Sequence, residues 1–239
     1  MGFLHRLTTQ SPDIDVAVFE HPQYHCHSQL IIHAPSKVAI MVNTGHDMQA
    51  VIDYISHHEL QADALLHTHG FLEYMEGQEA LREVIDITAY MSPLDEFWLA
   101  HLDTQASVLN APRVPFPFLD QQVIPDETLT LGTSASPITV NALHTPGNTP
   151  GSTCFYLPAA GIVFTGDVLY AGDLGPVDIP HGSLDQLKNS IQAQLFTLPD
   201  DTQVFPGRGA ETTIGHEKLH NSFSPRRFGK AHLPATPTA

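Results

Sequence analysis

The chain has 239 residues, 42% apolar and 15% charged, which suits one large globular domain with a substantial core. Ten Lys and Arg stand against 26 Asp and Glu, a formal net charge of −16. That balance argues against nucleic acid and anionic membrane surfaces as partners. In chain order, "IDVAVFE" (14–20), "QLIIH" (29–33) and "VAIMV" (38–42) predict three early strands. "NTG" (43–45) follows as a turn. Met48, Val51, Ile52 and Ile55 then recur at helical spacing behind Asp47.

"ADALLHT" predicts a buried strand, "EGQEALREVI" a helix and "DITAY" a short strand. "SPLDEFWLAHL" reads as a helix opened by Ser92 and Pro93. "APRVPFPF" holds three prolines, which remove backbone donors, so it is expected as an extended surface connector. The second half repeats the alternation. Strands are expected at "TLTLG", "ITVNAL", "STCFYL", "GIVFTGD" and "TQVFPG", and helices at "SLDQLKNSIQAQLF" and "TIGHEKLH". Strands followed by helices in each half favour two face-to-face sheets with helices outside, a four-layer αββα sandwich over a single domain, 1–239. No GxGxxG follows a strand, which disfavours an open dinucleotide-binding sheet. The last residues, 231–239, read as a frayed tail, and Arg226, Arg227 and Lys230 form a basic cluster before it.

"MGFLHRLTT" is too short an apolar run for a secretory signal, and no later segment is long enough to span a bilayer, so a reducing cytoplasm is expected. Cys26 and Cys154 form no CxxC pair and imply no disulfide framework. Cys154 reads as a buried strand residue, and Cys26 lies in "HCH", a pattern too local to assign a metal. Nothing in the sequence points to a particular oligomeric state.

Loops suited to chemistry follow the predicted strands: "THGFLEY" (68–74), "HTPGNTPGS" (144–152), "FTGD" (164–167) and "FPGRGAETTIG" (205–215). Taken in order across nearly the whole length, these motifs resemble the metallo-β-lactamase superfamily in its glyoxalase II-like branch, hydroxyacylglutathione hydrolase and its relatives. The resemblance implies an αββα sandwich, a site at one edge between the sheets, and thioester or lactone hydrolysis on two metals.

The family's first ligand motif is THxHxDH. In the register that keeps the loop shortest, His69 takes the first His, Phe71 the second, Glu73 the Asp and Tyr74 the third; starting at His67 would require extra residues before Gly77. His144 matches the His opening HTPG, and Asp167 matches the bridging carboxylate. Arg208 stands where the last His would be, in "PGRG". Asn43 and Asn148 replace the polar residues of DPG and HTPGH that would support the ligands.

Phe71 cannot coordinate, and the Arg208 guanidinium neither deprotonates nor ligates. A carboxylate pair without metal is costly to bury unless it is paired. Arg208 is therefore expected to bridge Glu73 and Asp167, with Tyr74 donating a further hydrogen bond. On this reading binuclear zinc is not expected, hydrolysis is weak or lost, and the pocket serves instead to bind a small-molecule ligand. The alternative keeps His69, His144 and Asp167 as ligands of one zinc or iron, a two-His, one-carboxylate set of the kind non-haem oxygenases use. The persulfide dioxygenases of the same superfamily use the equivalent three positions for iron.

Overall fold

The computed structural model describes residues 2–223, so the expected frayed tail and the basic cluster at Arg226, Arg227 and Lys230 lie outside the described residues. Seven strands form the first sheet in sequence order: β1 (Gly2–Thr8), β2 (Ile14–His21), β3 (Cys26–His33), β4 (Val38–Val42), β5 (Gln61–Leu66), β6 (Thr88–Met91) and β7 (Gln121–Gln122). β1 to β4 run antiparallel and β4 to β7 parallel. α1 (Gln49–His57) crosses between β4 and β5, and α2 (Gln78–Arg82), α3 (Glu96–Ala100) and α4 (Leu102–Leu109) follow β5 and β6.

The second sheet contains β8 (Thr128–Thr133), β9 (Ser136–His144), β10 (Thr153–Leu157) and β11 (Ile162–Gly166). A small hairpin, β12 (Leu169–Tyr170) and β13 (Asp173–Leu174), precedes α5 (Leu184–Ser190). Strands β14 (Gln203–Pro206) and β15 (Thr212–Thr213) then complete the second sheet, and α6 (Ile214–His220) comes after them.

Alternation along the strands builds three apolar layers, as a four-layer sandwich requires. Val16 and Val18 point between the sheets, where they meet Ile40, Leu66, Phe155 and Phe164. Ala17 and Phe19, one residue out of phase, join Val51 and Ile55 of α1 on the outer face. Cys154, Val163 and Val204 do the same beneath Leu187 of α5 and Ile214 of α6. "VAIMV" is buried at every position because both faces of β4 are covered.

Three local expectations change. β1 was not anticipated; its "GFLHRLT" mixes polar and apolar residues, as an edge strand can, and gains order by pairing with β2. The helix expected from Ser92 is broken. A 3₁₀ turn at Pro93–Asp95 leads into α3, and α4 restarts past His101 and runs to Leu109. The last helix expected before β14 ends in a π-helical segment, Ile191–Leu195. The proline-rich stretch has no regular structure, and it leaves Phe116 and Phe118 exposed. Among the described residues, no helix is long and apolar enough to cross a membrane.

His21, at the end of β2, is buried with Nε2 2.7 Å from Ser28 Oγ. Desolvation lowers its pKa from 6.5 to about 4, so between those values the unfolded chain binds a proton that the folded chain refuses. Its contribution is therefore complete above about pH 6.5 and is lost as pH falls toward 4, on the order of 3 kcal/mol in all. In urea unfolding between pH 7 and 4, His21→Gln should flatten the dependence by about 1.4 kcal/mol per pH unit, one proton's worth. An unchanged slope would mean that His21 charges in place without penalty.

Candidate functional site

The site forms where the carboxyl ends of β5, β11 and β14 meet. Asn43 begins it from the end of β4. Its backbone is left-handed, φ 55°, and its carboxamide accepts from Thr68 N at 2.9 Å and donates to Thr68 Oγ1 at 3.0 Å. Asn43 thus fixes the start of the "THGFLEY" loop, and Asp95 fixes the backbone at Gly70. The buried Asp95 carboxylate accepts from Gly70 N at 2.9 Å, Gly151 N at 2.6 Å and Thr149 Oγ1 at 2.7 Å, tying this loop to the "TPGS" turn. In the sequence, Asp95 gave no sign beyond the opening of a helix.

His69 and Asp167 are both fully enclosed, with Nε2 3.8 Å from Oδ2. The His69 ring is held by Thr68 Oγ1 at 2.8 Å from Nδ1 and by the edge contacts of Phe71 and Tyr74, with ring centres 4.5 and 4.6 Å away. Burial, reinforced by the Arg208 cation, lowers its pKa to about 3, so the imidazole is neutral at pH 7. His67, the alternative start of the motif, turns away to Gln78 Oε1 at 2.8 Å.

Gly166, at φ +50°, bends the chain so that Asp167 points inward; a Cβ there would lie 2.4 Å from Thr68 Oγ1. Tyr74 Oη donates to Asp167 Oδ1. Burial pushes Asp167 up to about 6, and the Tyr74 hydrogen bond pulls the other way.

Arg208 reaches the same carboxylate from the end of β14. Its Nε lies 3.5 Å from Asp167 Oδ2, one terminal nitrogen contacts Glu73 Oε1, and the other donates to Tyr24 O at 2.5 Å. The guanidinium also lies 5.2 Å over the Tyr74 ring. Desolvation lowers its pKa, yet a guanidinium remains charged at any ordinary pH. Gly207 leaves the space for this, since a Cβ there would meet Tyr74 Oη at 2.6 Å.

The structure therefore brings together His69, Glu73, Tyr74, Asp167 and Arg208. His144 is not gathered with them: its Nε2 is bonded to Pro150 O at 2.9 Å within its own turn. Among the described residues, no three His, Cys, Asp or Glu side chains form a group that could hold a metal ion. From that turn it is Asn148 that reaches the site side, fully buried and donating to Pro176 O at 2.8 Å, next to Gly175, which packs on the Asp167 backbone. The spacing within "HTPGN" could have suggested Asn148, four residues on from His144, but only the turn shows which one faces inward.

Tyr24 and Cys26 also join unforeseen; the Cys26 thiol, buried and raised to about 12, donates to Glu73 O at 3.3 Å. Buried polar atoms here without a hydrogen-bond partner include His69 Nε2, Asn148 Oδ1, Trp98 Nε1 and Tyr170 Oη.

A cleft of about 400 Å³ opens beside the cluster, lined by Phe71, Glu73, Phe97, Trp98, Ile179 and Pro180 among others. The walls come from α3, α4 and the segment before α5.

The metallo-beta-lactamase superfamily profile matches residues 21–208. The chain belongs to that superfamily. It is 32% identical over 188 residues to "Hydroxyacylglutathione hydrolase GloC" of Haemophilus influenzae, covering 78% of this chain and 87% of that one. Among solved structures, the BLEG-1 B3 metallo-beta-lactamase superposes with a TM-score of 0.75 at 27% identity, over 92% of this chain and all of that one. TTHA1623 in a di-iron-bound form superposes with a TM-score of 0.71 at 25% identity, over 92% and 100%. The fold is the αββα sandwich of this superfamily, and its relatives are hydrolase-like.

Proposed function

We propose that this superfamily member has exchanged its binuclear centre for an ion-pair and hydrogen-bond cluster centred on Arg208. Metal-dependent thioester hydrolysis, the activity named for GloC, is then weak or absent, and the neighbouring cleft binds a small molecule. One observation carries the reading: Arg208 contacts Glu73 and lies 3.5 Å from Asp167, so a fixed cation stands among the carboxylates that would otherwise attract metal. The donor set agrees. Phe71 makes a T-shaped contact with His69, Tyr74 donates a hydrogen bond to Asp167, and His144 is bonded to Pro150 O, so the residues present do not fit a two-metal site.

The reading with one zinc or iron on His69, His144 and Asp167 is decided by the same measurement. Protein grown with zinc and iron supplied and analysed by plasma mass spectrometry is expected to hold well below about one metal per chain. About one iron or zinc per chain, lost on His69→Ala, would overturn the proposal in favour of a single-metal enzyme.

A further inference from the structure

We propose that the cleft beside Arg208 binds an organic cation, an ammonium group on an apolar body, and discriminates against anions. This deepens the ligand-binding reading above and rests on it. Three aromatic rings form one wall. Trp98 makes edge contacts with Phe71 at 4.8 Å and Phe97 at 5.6 Å between ring centres. Ring faces and apolar side chains suit a poorly hydrated cation, which the ring quadrupoles attract.

The charge on the walls agrees. Among the lining residues, Glu73 is the one carboxylate, and no Lys or Arg is present. Glu73 Oε1 is taken by Arg208, and the Glu73 side chain keeps some exposure to the cleft it lines. With Asp167 behind it, the cluster sets two carboxylates against one guanidinium. An incoming anion would face that excess and a chain of net charge −16.

The Trp98 N–H is a buried donor without a partner, which an ether or carbonyl oxygen on the ligand body would meet. The 400 Å³ volume is in the range of small-molecule pockets.

Trp98 is the chain's single tryptophan, so its fluorescence reports this cleft alone. The probes are 3-phenylpropyltrimethylammonium, its tert-butyl isostere and the corresponding sulfonate, titrated into the full-length protein and repeated by calorimetry. The cation is expected to bind about ten-fold more tightly than the neutral isostere, and the sulfonate most weakly. Glu73→Gln should bring the cation down toward the isostere. If that variant fails to fold, Phe97→Leu, outside the ion cluster, should weaken cation binding by more than isostere binding and so reduce the preference.

Equal binding of cation and isostere, or sulfonate binding as tightly as the cation, would overturn the inference. Metal analysis of the same sample keeps the two ideas separable. Stoichiometric metal would sink the proposed function whatever the probes do, whereas a metal-poor protein that prefers the sulfonate would sink this inference alone.

Discussion

A chain carrying Phe71→His, Glu73→Asp, Tyr74→His, Asn148→His and Arg208→His is expected to hold zinc in stoichiometric amount, where the unaltered chain holds far less. The five changes return donor side chains around His69 and Asp167, already 3.8 Å apart at the strand ends. They also remove the guanidinium that lies 3.5 Å from Asp167. A metal needs three or four nitrogen or oxygen donors in a closed shell, and it would supply the positive charge that Arg208 now supplies to the buried carboxylates. The measurement is zinc per chain by plasma mass spectrometry after dialysis against a weak chelator.

A comparison chain with the other four changes but Arg208 intact separates the two contributions. It should hold at least about ten-fold less zinc, because two like charges a few ångströms apart repel strongly in a partly buried site. If the four-change chain fills as readily as the five-change one, the cation is not what opposes metal. If a folded five-change chain stays empty, the loop backbone itself has moved beyond what side chains can restore.

Arg208→Met is expected to destabilise the fold by about 3 kcal/mol at pH 7.5, the lower end of the cost of orphaning a buried charge, since Arg208 is partly open to solvent. Asp167 bears most of that loss, being 1% exposed with the neutral Tyr74 hydroxyl left donating to it. Glu73, nearer the cleft, can turn to water. The companion variant Arg208→Met, Glu73→Gln, Asp167→Asn removes all three charges and should recover to within about 1 kcal/mol of the parent, because a cluster replaced whole leaves no uncompensated ion. Urea unfolding of the four proteins in this series, with Arg208→Met, Glu73→Gln as the intermediate, measures both. If the triple variant is no more stable than Arg208→Met, the arginine acts through its bond to Tyr24 O and its contact with Tyr74, and ion pairing contributes little.

Much of the fold was legible because it is written in short-range patterns. "VAIMV" is apolar at every position and is buried at every position, and "IDVAVFE" sends alternate residues to opposite layers as a period of two requires. The turn residues fell where strands end, and the motif order marked the superfamily. In the loops, Glu73, Asp167 and Arg208 could be named from the sequence because they fall on the ligand positions of the motifs the chain resembles, and an arginine there answers two carboxylates' need for a counter-charge. That need does not depend on the path of the chain.

What the sequence did not reveal depends on contacts between distant segments. His144 and Asn148 lie four residues apart in one turn, and which of them faces inward is decided by the hydrogen bonds to Pro150 O and Pro176 O. Tyr24 contributes a carbonyl to a guanidinium 184 positions away, and Asp95 holds two loops that flank it in sequence by dozens of residues. The aromatic wall of Phe71, Phe97 and Trp98 likewise comes from a loop and a helix that no shared motif links.

The sequence by itself determined the strands, the layers and the superfamily, because local hydrophobic periodicity and loop chemistry are properties of neighbouring residues. Only the tertiary structure decided which polar side chains share one enclosed space and what stands beside it. Burial raises the cost of every unpaired charge and hydrogen-bonding group there, and that cost falls on whichever residues the packed fold brings together.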